Sequence, residues 1–251
     1  MSMTGQPPHW PQILATELIE LMAAEGVVVR LFGGAAIALA SVWEHTYGIP
    51  RSIRDLDLVV PGSSFRAAAR RLQKLGGVVD RRSLMINDGR LARGSYRSIG
   101  VDIYSDPLYL SHKITLGSRL GIDPFRLTTA DLLATKLQIE SDSRKEDDLR
   151  DVVALIASTP LSENSDVNAL NKSRICSLCA QSWGFYYSTI RSIAAAEALL
   201  PSIYRSEEVA YQAAAGIAEL KGSIEMTPKS WFWRVRRRIG PRLAWYEAIN
   251  S

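Results

Sequence analysis

The chain has 251 residues, 47% of them hydrophobic and 22% charged, with a net charge of +4. That is apolar material enough for one large domain or two modest ones, and it excludes wholesale disorder. Two cysteines, Cys176 and Cys179, exclude a disulfide scaffold and fit a reducing compartment.

In chain order, residues 1–10 read as a loose arm without the basic and apolar segments of a secretory signal. No apolar run reaches the ~20 residues of a membrane span, so a cytoplasmic protein with no membrane partner is expected. Residues 13–24 form an amphipathic helix with Ile13, Leu18, Ile19 and Met22 on its apolar face. Residues 27–32 are a buried strand, broken by Gly33-Gly34, and a small-residue helix runs over 35–43. The second strand is 56–60, stopped by Pro61-Gly62, and Ser63 caps a helix to 75. Residues 78–86 and 91–96 read as hairpin strands around Asn87-Asp88-Gly89. Residues 99–104 make a further strand carrying Asp102. From Thr128 onward the pattern is helical: 129–140, 144–158, 165–181, 184–199, 207–222 and 229–238, with a polar, turn-rich linker at 160–166. The expected class is α+β, a small mixed sheet with helices followed by a helical C-terminal lobe, divided as 1–126 and 127–251.

The run Arg54-Asp-Leu-Asp-Leu-Val-Val60 carries the strongest chemical signal. Side chains alternate along a strand, so Asp55 and Asp57 share one face while Leu56 and Leu58 share the other. Two neighbouring acids repel unless a cation neutralises them. Hard oxygen ligands of this kind suit Mg²⁺, held by one or two carboxylates plus substrate phosphates. Asp102, a charge inside Val101-Asp-Ile103, is the third candidate, either as a metal ligand or as the general base for an attacking hydroxyl. Gly33 and Gly34 would let backbone N–H groups approach a phosphate, and Arg51 could touch one. Taken alone, a D-x-D pair is also a common strand charge pattern, and a Gly-Gly pair is also a simple turn. Neither a dinucleotide-binding fingerprint nor a Walker A loop is present.

Thr128-Thr-Ala-Asp131 resembles a capping box and starts a helix in which Lys136 falls within an apolar stripe of Leu132, Leu133 and Ile139. A lysine there must snorkel or meet an anion, either a triphosphate or a site aspartate. Asp148 and Asp151 share a face of the next helix, and either could hold Lys136 or a substrate group. Cys176-x-x-Cys179 lacks a second ligand pair and reads as two core cysteines one helical turn apart. The segment Lys229-Ser-Trp-Phe-Trp-Arg-Val-Arg-Arg-Arg-Ile239 mixes cations with aromatics. It could grip phosphates and stack on unpaired bases, or pack its rings on the core.

Taken together, Gly33-Gly34, a helix, Asp55-x-Asp57 and a later strand acid resemble the nucleotidyltransferase (polymerase-β-like) signature. Arg51 to Leu58, Leu127 to Lys136 and Arg144 to Asp151, in that order, are similar to the AbiEii family of toxins from toxin–antitoxin and phage-defence systems, including the mycobacterial MenT-type toxins. The similarity spans residues 27–157. It implies a nucleotidyltransferase sheet with a helical lobe, Mg²⁺-dependent transfer of a nucleotide from an NTP with release of pyrophosphate, and a cognate antitoxin partner. In MenT-like relatives the acceptor is the 3′ end of tRNA, and growth stops. The resemblance makes Asp55 and Asp57 metal ligands, Lys136 a nucleotide contact and Asp148 or Asp151 a further acid. Gly34 stands where many members have Ser, and Ile53 where Thr is frequent.

The expected protein is thus a Mg²⁺-dependent nucleotidyltransferase toxin acting on RNA, with tRNA as the acceptor. Gly33, Gly34, Arg51 and Lys136 bind the nucleotide, and Asp55, Asp57 and Asp102 hold metal. Asp55, Asp57, Asp102, Lys136 and Asp148 carry the catalysis. The alternatives are transfer to a protein hydroxyl or a small molecule, and a non-catalytic nucleotide- or RNA-binding module.

Overall fold

A computed structural model describes residues 10–40, 42–86, 89–139, 145–164, 169–203 and 206–247. The chain divides into two units, residues 1–40, 51–108 and 115–127 in the first and 41–50, 109–114 and 128–251 in the second.

The chain opens with helix α1 (Trp10–Ala23), strand β1 (Arg30–Phe32), α2 (Gly33–Leu39) and α3 (Val42–Tyr47). It continues through β2 (Asp55–Pro61), α4 (Phe65–Lys74), β3 (Val78–Val79), α5 (Arg81–Ile86), β4 (Leu91–Tyr96) and β5 (Ile99–Asp106). In the first unit β1 to β5 form one mixed sheet in the order β1-β2-β5-β4-β3. Only β2 and β5 run parallel; the other neighbours are antiparallel. On the outer side of β1, Leu31 donates its N–H to Phe125 O and accepts from Leu127 N, so the 125–127 segment covers that edge.

The alternation along β2 and β5 fixes which face is which. Leu56, Leu58, Val60, Val101 and Ile103 are completely buried on one face. Helix α4, which packs on β2 and β5, contributes Phe65, Ala68 and Leu72 to that core, and α1 adds Leu14, Leu18, Ile19 and Met22. Each of these side chains larger than alanine stabilises the fold by roughly 1.5–3 kcal/mol. A one-residue slip would bury Asp55, Asp57 and Asp102 in their place, so the register is strongly specified. On α1 the apolar face uses Leu14, while Ile13 is 53% exposed.

In the first unit two elements differ most from the sequence expectation. The helix expected over 35–43 begins at Gly33 and ends at Leu39, with α3 following as a separate helix. The strand expected over 78–86 is only two residues long, and α5 takes the rest. Asp80 is the cause: its carboxylate accepts the N–H groups of Arg82 and Ser83, which caps a helix. Asn87 and Asp88 of the expected turn lie outside the described residues.

Two short strands, β6 (Leu108–Tyr109) and β7 (Lys113–Ile114), pair as a ribbon. The helices that follow are α6 (Thr129–Leu137), α7 (Glu146–Ala157), α8 (Lys172–Gln181), α9 (Trp183–Ile203), α10 (Glu207–Met226) and α11 (Trp231–Ile239). Between α7 and α8 lie β8 (Leu161–Ser162) and β9 (Leu170–Asn171), a parallel pair inside the second unit; β8 falls in the expected linker and β9 in the helix expected over 165–181, which begins only at Lys172, where Asn171 caps it by accepting the Arg174 N–H.

In this unit α6 is buried along its whole length. Thr128 caps it as expected, donating its hydroxyl to Asp131 at 2.7 Å and accepting the Asp131 N–H. Helix α7 packs against α3, α6, α9 and α10. Gly216 lets α10 approach closely, because a Cβ there would sit 2.6 Å from Ile156. Helix α11 is anchored through Trp233, whose indole N–H donates to Cys179 O at 2.9 Å. The fold class is α+β, a mixed five-stranded sheet with a helical C-terminal region.

Candidate functional site

The face of the sheet opposite the Leu56–Leu58 core gathers Asp55, Asp57 and Asp102, with Gly33, Gly34 and Arg51 beside it. Register partners share a face, and in the row across the strand centres Phe32 pairs with Asp57, Asp57 with Asp102, and Asp102 with Arg93. One step along, Asp55 pairs with Gly100, whose missing side chain leaves that end of the face low. Asp55 is exposed, and Asp57 and Asp102 are half-buried. The three acids therefore stand on one face: alternation predicted this for Asp55 and Asp57, and the β2–β5 register adds Asp102.

Gly33 adjoins this row, since Phe32 is its chain neighbour. A Cβ on Gly33 would collide with the Asp57 carboxylate, and its φ of +66° is one that L side chains rarely adopt. Gly34 faces Arg51: a Cβ at Gly34 would lie 3.5 Å from the Arg51 guanidinium. Arg51 also donates to Ser52 O at 2.9 Å. Gly33, Gly34, Arg51 and Asp57 thus belong to one neighbourhood.

The surroundings set the electrostatics. Burial pushes the Asp102 carboxyl upward, Arg93 pulls it down, and Asp55 adds a further upward push; the net shift is up. Arg93 Nε lies 3.8 Å from Asp102 Oδ2. Tyr104, two residues along β5, packs edge-on against Phe32 with ring centroids 5.1 Å apart. Burial, then Asp57 and Asp102, raise its phenol, so it stays protonated. Arg93 has no motif around it; only the strand register brings it to the acids.

Two hard carboxylates on one strand face, one of them seated against a glycine, fit a Mg²⁺ ion completed by phosphate oxygens. Among the described residues no group of three His, Cys, Asp or Glu side chains is arranged to hold a metal by itself. A cavity of about 610 Å³ opens beside α4 and α5, lined by Phe65, Arg66, Ala69, Arg70 and Met85 among others. None of the predicted site residues lines it.

In the second unit, Lys136 meets the anions its apolar stripe demanded. Its ammonium donates to Asp148 at 2.7 Å and pairs with Asp151 at 2.9 Å. Burial alone would lower the Lys136 pKa, but Asp151 and Asp148 outweigh it and hold the lysine charged. Burial likewise pushes Asp148 up, yet Lys136 and the Lys145 backbone bring it below the usual carboxylate range. Both acids share the lysine, making a three-residue cluster that joins α6 to α7. Asp131 is a second such tie, accepting from Arg174 Nε at 2.9 Å.

Cys176 and Cys179 are buried on α8 with free thiols. Burial raises both, Cys179 to about 12, which leaves them unreactive core residues as the sequence suggested. Helix α11 divides its side chains. Trp233 is buried, while Trp231 and Phe232 are 63% and 70% exposed with ring centroids 4.3 Å apart. Arg236 stacks over Trp183 at 4.4 Å. One ring therefore packs in the core, as one of the two sequence readings expected, and two stand outside it.

Among the described residues no helix is long and apolar enough to cross a membrane. No protein-family model matches the chain, and no curated protein is significantly similar to it. Among solved structures the chain is similar to that of an antigenic nucleotidyltransferase-like protein from Paracoccidioides brasiliensis. That similarity has 14% identity and a TM-score of 0.40, covering 88% of this chain and 94% of the other.

Proposed function

We propose that the protein is a Mg²⁺-dependent nucleotidyltransferase that moves a nucleotide from an NTP onto an RNA hydroxyl, the 3′ end of tRNA being the acceptor, and so arrests translation as a toxin held in check by an antitoxin. The observation that carries this reading is the Asp55–Asp57 pair on one face of β2, with Gly33 leaving room for the Asp57 carboxylate.

In this reading Asp55 and Asp57 hold the cation, with Asp102 as third ligand or base. The bound ion would neutralise charge on the triphosphate and favour in-line displacement. Gly33 and Gly34 admit the triphosphate close to the backbone, and Arg51 beside Gly34 offers a planar donor to a phosphate. Lys136, held by Asp148 and Asp151, fixes α6 against α7 within the second unit. The acceptor oxygen bonds to the α-phosphorus, the bond from that phosphorus to the bridging oxygen breaks, and pyrophosphate leaves with the electron pair. Positive charge and two exposed rings on α11 support an RNA acceptor over a small molecule.

The acceptor is tested by incubating the protein with Mg²⁺, each α-labelled NTP and a mixture of total tRNA, a protein lysate fraction and aminoglycosides. Label on tRNA supports the reading. Label on a protein or on a small molecule replaces RNA with that acceptor class. The toxin role is tested separately by growth on induced expression, which Asp57→Ala must restore.

A further inference from the structure

The cavity beside α4 and α5 is built on two rows of one helix. Phe65, Ala69 and Gln73 follow each other at four-residue spacing along one stripe of α4, and Arg66 and Arg70 follow along the next. Phe65 and Ala69 are buried and give the cavity an apolar lining, to which α5 adds Leu84 and Met85. Met85 is 81% exposed, an adaptable apolar side chain left in water. Gly89 keeps a side chain away from the Phe65 ring, since a Cβ there would lie 3.9 Å from it. The charged row is unrelieved. Arg66, Arg70 and Lys74 repeat at four-residue spacing, where like charges repel. Arg71 on the same helix pairs with Glu25 at 2.6 Å, but among the described residues Arg66, Arg70 and Lys74 have no carboxylate partner. At about 610 Å³ the cavity has the size of a small-molecule site.

We propose that this cavity binds a small amphipathic acid of the fatty-acid kind, its aliphatic tail against Phe65, Ala69, Leu84 and Met85 and its carboxylate held by Arg66 and Arg70. A guanidinium matches a carboxylate through its planar fork of N–H donors, and the Gln73 amide adds a neutral donor to the same lining. Occupation relieves the repulsion between the two arginines and covers Met85. A neutral alcohol with the same tail gains only the apolar part of this, and a nucleic-acid backbone only the charged part. Helix α4 packs on β2 and β5, so a ligand seated along it stabilises the sheet unit as a whole. The site is separate from the residues assigned to nucleotidyl transfer, none of which lines the cavity.

The test is calorimetric titration of the intact chain with decanoate, beside decanol as its uncharged counterpart. Wild type is expected to bind decanoate saturably at a single site, and about tenfold or more tightly than decanol. Replacing both Arg66→Gln and Arg70→Gln removes that advantage and leaves decanol binding unchanged, while Met85→Asp weakens both ligands. These three side chains are exposed, so the variants are expected to melt as wild type does without ligand. Decanoate then raises the melting temperature of wild type and not that of the double arginine variant. Decanoate affinity equal in wild type and the arginine variant overturns the inference, as does binding that never saturates. A labelled single-stranded oligonucleotide, or a phosphatidylglycerol vesicle, that binds through Arg66 and Arg70 while decanoate does not also overturns it, and assigns the row to nucleic acid or to a membrane surface. The readout is binding, so the result stands whether or not the protein transfers nucleotide.

Discussion

Gly33 leaves open the space that the Asp57 carboxylate occupies: a Cβ at position 33 would collide with it. The glycine opens α2 and the acid sits in mid-strand on β2, so one contact couples the strand-to-helix turn to the acid face. Gly33→Ala is expected to combine two penalties, a left-handed backbone costing roughly 1–3 kcal/mol and displacement of Asp57. A thermal melt lowered in proportion, with transfer lost even at temperatures where the variant stays folded, is the expected result. A variant with wild-type stability would show that the turn relaxes freely.

Asp57→Ala separates chemistry from folding. It removes a negative charge from an acid-rich row, so the fold should be retained or slightly stabilised while cation binding and transfer disappear. Circular dichroism melts beside the transfer assay check both halves. Wild-type transfer by this variant would end the metal assignment.

The cluster of Lys136, Asp148 and Asp151 predicts a stability effect with a defined pH direction. Lys136→Ala leaves two carboxylates without their cation in a site where the lysine side chain is 10% and Asp151 0% exposed. Removing one partner of a buried pair costs about 3–5 kcal/mol. Asp148 has its folded pKa depressed. Its contribution is therefore fully present above its unfolded value of roughly 3.9 and is lost as pH falls through the lower folded value. Acid unfolding of Asp148→Asn should show a shallower dependence below about pH 4 than wild type. If Lys136→Ala instead melts as wild type and raises only the KM for NTP, the lysine is a substrate contact.

Helix α11 predicts a stacking surface. Trp231→Ala and Phe232→Ala, both at exposed rings, should each weaken binding of a single-stranded oligonucleotide by about 1–3 kcal/mol without altering the melt. Replacing Arg234, Arg237 and Arg238 with Gln should flatten the salt dependence of the same binding. Fluorescence anisotropy with a labelled oligonucleotide across a salt series measures both. Unchanged affinity in the ring variants would return this helix to a structural role.

The sheet was legible because its strands alternate cleanly: Leu56 and Leu58 inward, Asp55 and Asp57 outward, repeated as Val101 and Ile103 against Asp102. The C-terminal helices were legible from their periodicity and from caps such as Thr128. Residues 78–86 misled because Val78-Val79 and Leu84 to Ile86 suit a strand, while the deciding feature was the Asp80 cap between them. The acid pair could be read from local spacing alone. Arg93 could not, because its place beside Asp102 depends on the pairing of β4 with β5. The sharing of Lys136 between two acids was only half legible, since spacing put Asp148 and Asp151 on one face but could not show both reaching the same ammonium.

In the proposed reaction the Asp55–Asp57 pair is the cation centre of a nucleotidyl transfer. Pyrophosphate release, measured with Mg²⁺, each NTP in turn and total tRNA, tests it most directly when wild type runs beside Asp57→Ala. Wild type is expected to release pyrophosphate with at least one NTP, in dependence on both Mg²⁺ and tRNA, and the variant to release none. Equal release by the two proteins, or none by wild type with any NTP, would contradict it.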